Sequence, residues 1–229
     1  TILGNDRFAF GAGQCLIVSH DVPVVSRITE ASPDKPYIAA ILDIDLGILR
    51  SLYEQIGENT TKQAEAEKSM CLNHAEPSLI DALGRYISLV NDPLEKNILA
   101  HLILKEIHLR LLIAHNGGML RKLLWHDSNA SRISKAIEKI RKDFKNALII
   151  PDLAKLVGMS VSSFHQHFRA ITATTPLQYQ KDLRLLEARR LLMEKKDSVS
   201  IIAFEVGYES STQFSREYSR KFGLPPSKS

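Results

Sequence analysis

The sequence predicts an α+β chain, with a small antiparallel β portion and accompanying helices first and an all-α region after it. Three observations carry that expectation. The first 45 residues hold short β-branched runs punctuated by Gly11, Gly13 and Pro33. From Leu46 onward, apolar residues recur at helical spacing. Between Leu153 and Pro226 one pattern is written twice: Ala154, Val157 and Gly158 return as Ala203, Val206 and Gly207 at a shift of 49. After a one-residue insertion, Phe164, Phe168 and Pro176 return as Phe214, Tyr218 and Pro226 at a shift of 50.

Taken in order, Gln14 to Ser19, Val22 to Arg27 and Tyr37 to Leu42 are the expected strands. The string Ser19-His20-Asp21 reads as a turn rather than a triad, because neighbouring strand residues point to opposite faces. Leu46 to Ile56, between Asp45 and Gly57, places Leu46, Leu49, Leu52, Tyr53 and Ile56 on one helical face. Residues 58 to 69 are polar and read as a surface connection or the start of another helix. Pro77 to Val90 is amphipathic through Leu79, Ile80, Leu83, Ile87 and Val90, and Asn91-Asp92-Pro93 breaks it. Leu94 to His115 is the longest element, and its apolar face, with Ile98, Leu99, Leu102, Ile103, Ile107, Leu111 and Leu112, is wider than one neighbour needs. Such a helix is either buried on two sides or half of a dimer contact. His101, His108 and His115 share it at spacings of about 10.5 Å, too far apart for one metal, and read as border positions. Gly117-Gly118 ends this helix, and residues 126 to 131 read as a linker. Arg132 to Lys145 then turns Ile133, Ile137, Ile140 and Phe144 inward and Lys135, Lys139, Arg141 and Lys142 outward.

Each copy of the repeat runs short helix, glycine, polar cap, second helix. Gly158 and Gly207 stand where a helix ends in a left-handed conformation. Ser160 and Ser210 are good N-caps for the helices that follow. This is the grammar of a helix-turn-helix, whose second helix enters the DNA major groove. The units fall at about 151–172 and 199–222, with Leu153, Leu156, Val157, Phe164 and Phe168 as the inner positions of the first. Thr175-Pro176 starts a linker helix running to about Lys195. Its length of roughly 28 Å is comparable with the ~34 Å between successive major-groove faces.

Charge divides the chain in the same place. Residues 1–127 hold 12 Lys+Arg against 16 Asp+Glu, a net −4, whereas 128–229 hold 18 against 10, a net +8. An acidic module joined to a basic nucleic-acid-binding one fits that asymmetry. Cys15 and Cys71 are too few for a disulfide scaffold or zinc site. Neither a run of about 18 uncharged apolar residues nor a signal peptide is visible, so a cytoplasmic protein with no membrane contact is expected. The chain opens on Thr1 and is read as possibly incomplete at that end.

The segment from Leu153 to Phe168, the helix from Pro176 to Leu192 and the run from Val206 to Pro226 resemble the AraC/XylS family of bacterial transcription regulators. The family usually has glycine where this chain has Ala173. The resemblance implies a cupin-like effector-sensing and dimerisation domain at 1–127 and a DNA-binding domain at 128–229. It further implies double-stranded promoter DNA, a small-molecule effector and RNA polymerase as partners, no cofactor, no catalytic residues, and a homodimer formed through the 94–115 helix. Cupin enzymes hold a metal through a His-x-His pair, and none occurs in residues 1–127. A cupin-like metabolic enzyme is therefore the weaker alternative, as is a redox-sensing regulator acting through Cys71 or Cys15.

The outward positions are the candidate readers. In the first unit these are Ser162, Ser163, His165 and Gln166, with Arg169 towards phosphate. In the second they are Ser211, Thr212, Gln213, Ser215 and Arg216, which by resemblance match the family's recognition positions. Glutamine pairs with adenine, and the Arg216 fork suits guanine. Lys181, Arg184 and Lys221 are expected nearer the phosphates, adding affinity that salt removes.

Overall fold

The computed structural model describes residues 1–3, 6–56, 70–114, 117–124, 128–194 and 197–229. It is α+β: a small antiparallel sheet and helices precede an all-helical region. The contacts divide it into two compact units, one of Thr1–Ile2, Asp6–His20 and Val25–Ser131, the other of Leu3–Asn5, Asp21–Val24 and Arg132–Ser229.

In the first unit β1 (Ile2–Leu3) pairs with β2 (Asp6–Arg7), and β3 (Gln14–Val18) pairs antiparallel with β4 (Met70–His74), with Leu16 opposite Leu72 and Gln14 opposite His74. Two expected strands do not form. Val22 to Arg27 contains Pro23, which lacks an N–H, and contributes a single bridge from Val25 to Ile2. Tyr37 to Leu42 leaves Ile38 87% and Ile41 94% exposed. Its β-branched residues have no sheet face to pack on, and strand propensity is realised mostly through such packing. Conversely, β4 has no β-branched residue to announce it and is defined by its partner.

Helix α1 (Leu46–Ile56) has the expected bounds and buries Leu49 and Leu52. Residues 58–69, expected as a surface connection or the start of another helix, lie outside the described residues. α2 (Pro77–Ser88) closes in a 3-10 turn, Leu89–Asn91. α3 (Pro93–Ile113) begins on an Asp92 cap whose carboxylate accepts from the Leu94 and Glu95 N–H groups. α4 (Gly118–Leu124) was not anticipated: α3 already ends at Ile113 with Ala114 as its C-cap, and the Gly117-Gly118 pair instead opens a short helix with Met119, Leu120, Leu123 and Leu124 all buried. His108 is not a border residue. It is fully buried, donating from Nδ1 to the Leu104 carbonyl at 2.7 Å and accepting at Nε2 from the Asp45 N–H at 2.8 Å, so it ties the start of α1 to α3. His101 is exposed, and His115 lies outside the described residues.

Helix α5 (Asn129–Lys142), most of which lies in the second unit, opens three residues earlier than expected because Ser128 Oγ accepts from the Ser131 N–H at 3.0 Å and caps the turn. Ile133, Ile137 and Ile140 are buried as anticipated. There follow α6 (Ile150–Leu156), α7 (Val161–Thr172), α8 (Pro176–Met193), α9 (Val199–Glu205) and α10 (Ser211–Phe222). Among the described residues no helix is long and apolar enough to cross a membrane.

Candidate nucleic-acid interface

Each helix pair is closed by the same parts. Phe164 and Phe168 are fully buried with ring centroids 5.5 Å apart, and Phe168 meets Tyr179 of α8 edge-on at 5.6 Å. In the second pair Phe214 and Tyr218 repeat that arrangement at 5.5 Å, and Tyr208 adds an edge contact to Phe214 at 5.3 Å. Offset and edge-on aromatic packing of this kind is favourable beyond burial alone. Leu153, Ala154 and Val157 complete the first core, while Leu156 is 57% exposed rather than an inner residue. On a helix it stands roughly 110° from the middle of that buried arc.

The corners need their glycines. Gly158 has φ +65° and Gly207 φ +94°. A Cβ at Gly207 would also lie 2.3 Å from the Lys145 carbonyl oxygen, so backbone proximity and conformation both exclude a side chain. Ser160 Oγ accepts from the Ser163 N–H at 3.2 Å and Ser210 Oγ from the Gln213 N–H at 3.3 Å, fixing where α7 and α10 begin. Thr175 caps α8 in the same way. Ala173, in the place of the usual glycine, ends α7 in the left-handed region at φ 57°.

With the aromatic side chains turned in, the polar positions face solvent. Ser162, His165, Gln166 and Arg169 on α7 are exposed and Ser163 is half-buried. On α10, Thr212, Gln213 and Arg216 are exposed, with Ser211 and Ser215 half-buried. The cations expected at phosphate have partners within the protein. Arg184 donates from Nε to the Phe144 carbonyl at 2.7 Å, from Nη1 to Gly207 at 2.7 Å, and from Nη2 to Lys145 and Asn146 at 3.1 and 2.9 Å. Burial pushes the Arg184 guanidinium below its ordinary pKa. Gln180 Nε2 reaches the Phe144 and Asn146 carbonyls beside it, at 2.9 and 2.6 Å. Together they strap the α5–α6 connection to α8 and to the corner of the second helix pair. Lys221 pairs with Asp182 at 2.7 Å and Lys181 with Glu217 at 2.8 Å. No sequence spacing flags these partners, because each pair joins different helices.

Two helix-turn-helix units of one design, joined by α8 and presenting polar recognition faces, define a tandem helix-turn-helix protein. The chain belongs to the AraC family of transcriptional regulators: residues 1–119 match the AraC-type transcriptional regulator N-terminus and 153–229 match a helix-turn-helix domain. It is 24% identical over 194 residues to the thermoregulatory protein LcrF of Yersinia pestis, covering 84% of this chain and 69% of that one. It is 34% identical over 123 residues to the HTH-type transcriptional activator RhaS of Escherichia fergusonii, covering 52% and 42%. The HTH-type transcriptional regulator ExsA of Pseudomonas aeruginosa is 27% identical over 132 residues, covering 58% and 47%. The chain thus spans less than half the length of RhaS and ExsA. Among solved structures it is similar to an AraC-type transcriptional regulator from Chromobacterium violaceum, at 28% identity over 43% of this chain and 88% of that one, with TM-score 0.41. The DNA-binding domain of AdpA, solved in complex with a target DNA, is 26% identical over 42% of this chain and 87% of that one, with TM-score 0.40.

Proposed function

We propose that this chain is a sequence-specific DNA-binding transcription regulator whose α7 and α10 read promoter DNA. The observation that carries the reading is the duplicated recognition face: two capped helices with aromatic inner sides and polar outer sides, in a region of net charge +8. Ser162, Ser163, His165 and Gln166 are the base-facing set of the first unit, and Ser211, Thr212, Gln213, Ser215 and Arg216 that of the second. Arg169 contacts phosphate. Arg184 acts as a clamp holding the second unit, since its donors are engaged by four carbonyls. Lys181 and Lys221 set the surface potential while paired internally.

In this reading residues 1–127 form a cupin-like effector-sensing and dimerisation domain and 128–229 the DNA-binding domain, in a cytoplasmic protein that binds a small-molecule effector and RNA polymerase and has no catalytic role. Support for a homodimer through α3 comes from Leu94, Ile98 and Leu102, four residues apart on one face and 73%, 60% and 52% exposed. The redox alternative is disfavoured at Cys15, because burial and then the neighbouring Cys71 push its thiol up, away from the reactive thiolate.

Selection of genomic fragments by the purified protein at two salt concentrations tests the function. Specific fragments are expected, held less tightly at higher salt, and Arg216→Ala is expected to lose discrimination at one guanine by about 1 to 3 kcal/mol. Fragment recovery with no sequence in common would refute the reading.

A further inference from the structure

We propose that Glu217 is a positioning residue that fixes the Gln213 amide as a reader of adenine, and so sets specificity at one base pair of the second half-site. The inference rests on the reading of α10 as a recognition helix. Gln213 is exposed in the first turn of α10, and its Nε2 donates to Glu217 Oε1, one turn further along, at 3.2 Å. Which way a glutamine amide points is ordinarily ambiguous. Here a carboxylate can only accept, so the nitrogen faces Glu217.

Glu217 is itself held. Lys181 Nζ donates to Oε1 at 2.8 Å and the Tyr208 hydroxyl to Oε2 at 2.9 Å, and the Glu217 side chain is only 13% exposed. Burial alone would raise its pKa, but hydrogen bonds from Lys181, Gln213 and Tyr208 outweigh that and hold the carboxyl below the usual carboxylate range. At neutral pH it is an anchored, ionised acceptor whose charge is balanced by Lys181.

An amide nitrogen carries two hydrogens. With one committed to Glu217, the other hydrogen and the amide oxygen form a single donor–acceptor edge. That edge complements adenine, which presents the N7 acceptor beside the N6 amino donor in the major groove. Guanine presents two acceptors there, O6 and N7. To satisfy both, Gln213 must give both hydrogens and break from Glu217. The device belongs to the second unit, since the repeat places Ser163 and His167 where Gln213 and Glu217 stand.

The test is selection from a randomised duplex library by the whole chain, comparing wild type, Gln213→Ala, Glu217→Gln and, as a control, Arg216→Ala. Wild type is expected to prefer adenine at one position by about tenfold or more. Gln213→Ala and Glu217→Gln flatten that same position to about twofold or less while the rest of the profile and the salt slope hold. Arg216→Ala flattens a different position. An unchanged profile in Glu217→Gln, or equal loss at every position, overturns the inference while leaving the regulator reading intact. Failure of wild type to select any sequence overturns both. Should Glu217→Gln not fold, the wild-type side-chain amide resonance of Gln213, assigned by its loss in Gln213→Ala, decides: a motionally restricted amide is expected, and a freely mobile one overturns the proposal.

Discussion

Ala173 tests the account at its smallest scale. An L-residue in the left-handed region is strained by about 1–2 kcal/mol, and glycine relieves this at the cost of extra entropy in the unfolded chain. Ala173→Gly is therefore expected to stabilise the helical region that contains α7 by roughly 0.5–1 kcal/mol, read by thermal unfolding. His20 offers a pH test. It is 5% exposed, with Nδ1 2.9 Å from Ser19 Oγ and Nε2 3.2 Å from the Ala130 carbonyl oxygen. Burial, set against the bond to Ala130, lowers its pKa from 6.5. The unfolded chain then binds more protons than the folded one, so the stability it contributes is present above pH 6.5 and is lost as pH falls through the lowered folded value. Denaturant midpoints of wild type and His20→Gln between pH 8 and about pH 5 should converge on acidification.

At the scale of elements, the Arg184 strap joins pieces that periodicity treats as separate. Arg184→Lys keeps the charge but replaces a planar fork with a point donor that cannot reach all four carbonyls, three from residues 144–146 and one from Gly207. A loss of about 2 kcal/mol in stability is expected, with little change in the salt dependence of DNA binding. Arg169→Ala should do the reverse, leaving stability nearly untouched and reducing the salt slope by about one. This contrast also marks how far the sequence can be read. The repeat, its glycines and its serine caps are local signals, and so the bounds of α7, α8 and α10 and the outward positions were legible. Arg184 and Glu217 are defined by what distant segments bring to them, 36 to 40 residues away for Lys181 and Phe144. Strands suffered most: β4 exists because β3 lies beside it, whereas the more β-prone Tyr37 to Leu42 has no such neighbour.

For the whole molecule, two consequences follow from two units on one chain. The exposed Leu94, Ile98 and Leu102 stripe predicts self-association, and Ile98→Lys is expected to shift the sedimenting species from dimer to monomer without loss of helix content. Should wild type sediment as a monomer throughout, the stripe serves another purpose. Helix α8, with 18 residues, is a rod of about 27 Å between α7 and α10. On the proposed function, a body of that size would read two successive major-groove faces on the same side of a duplex, about 34 Å apart. The most direct test inserts base pairs between the two halves of a selected site. Adding about five, half a helical turn, should abolish two-site binding and leave only a weak half-site footprint. Retention of full affinity and of both protected faces after that insertion would contradict the account.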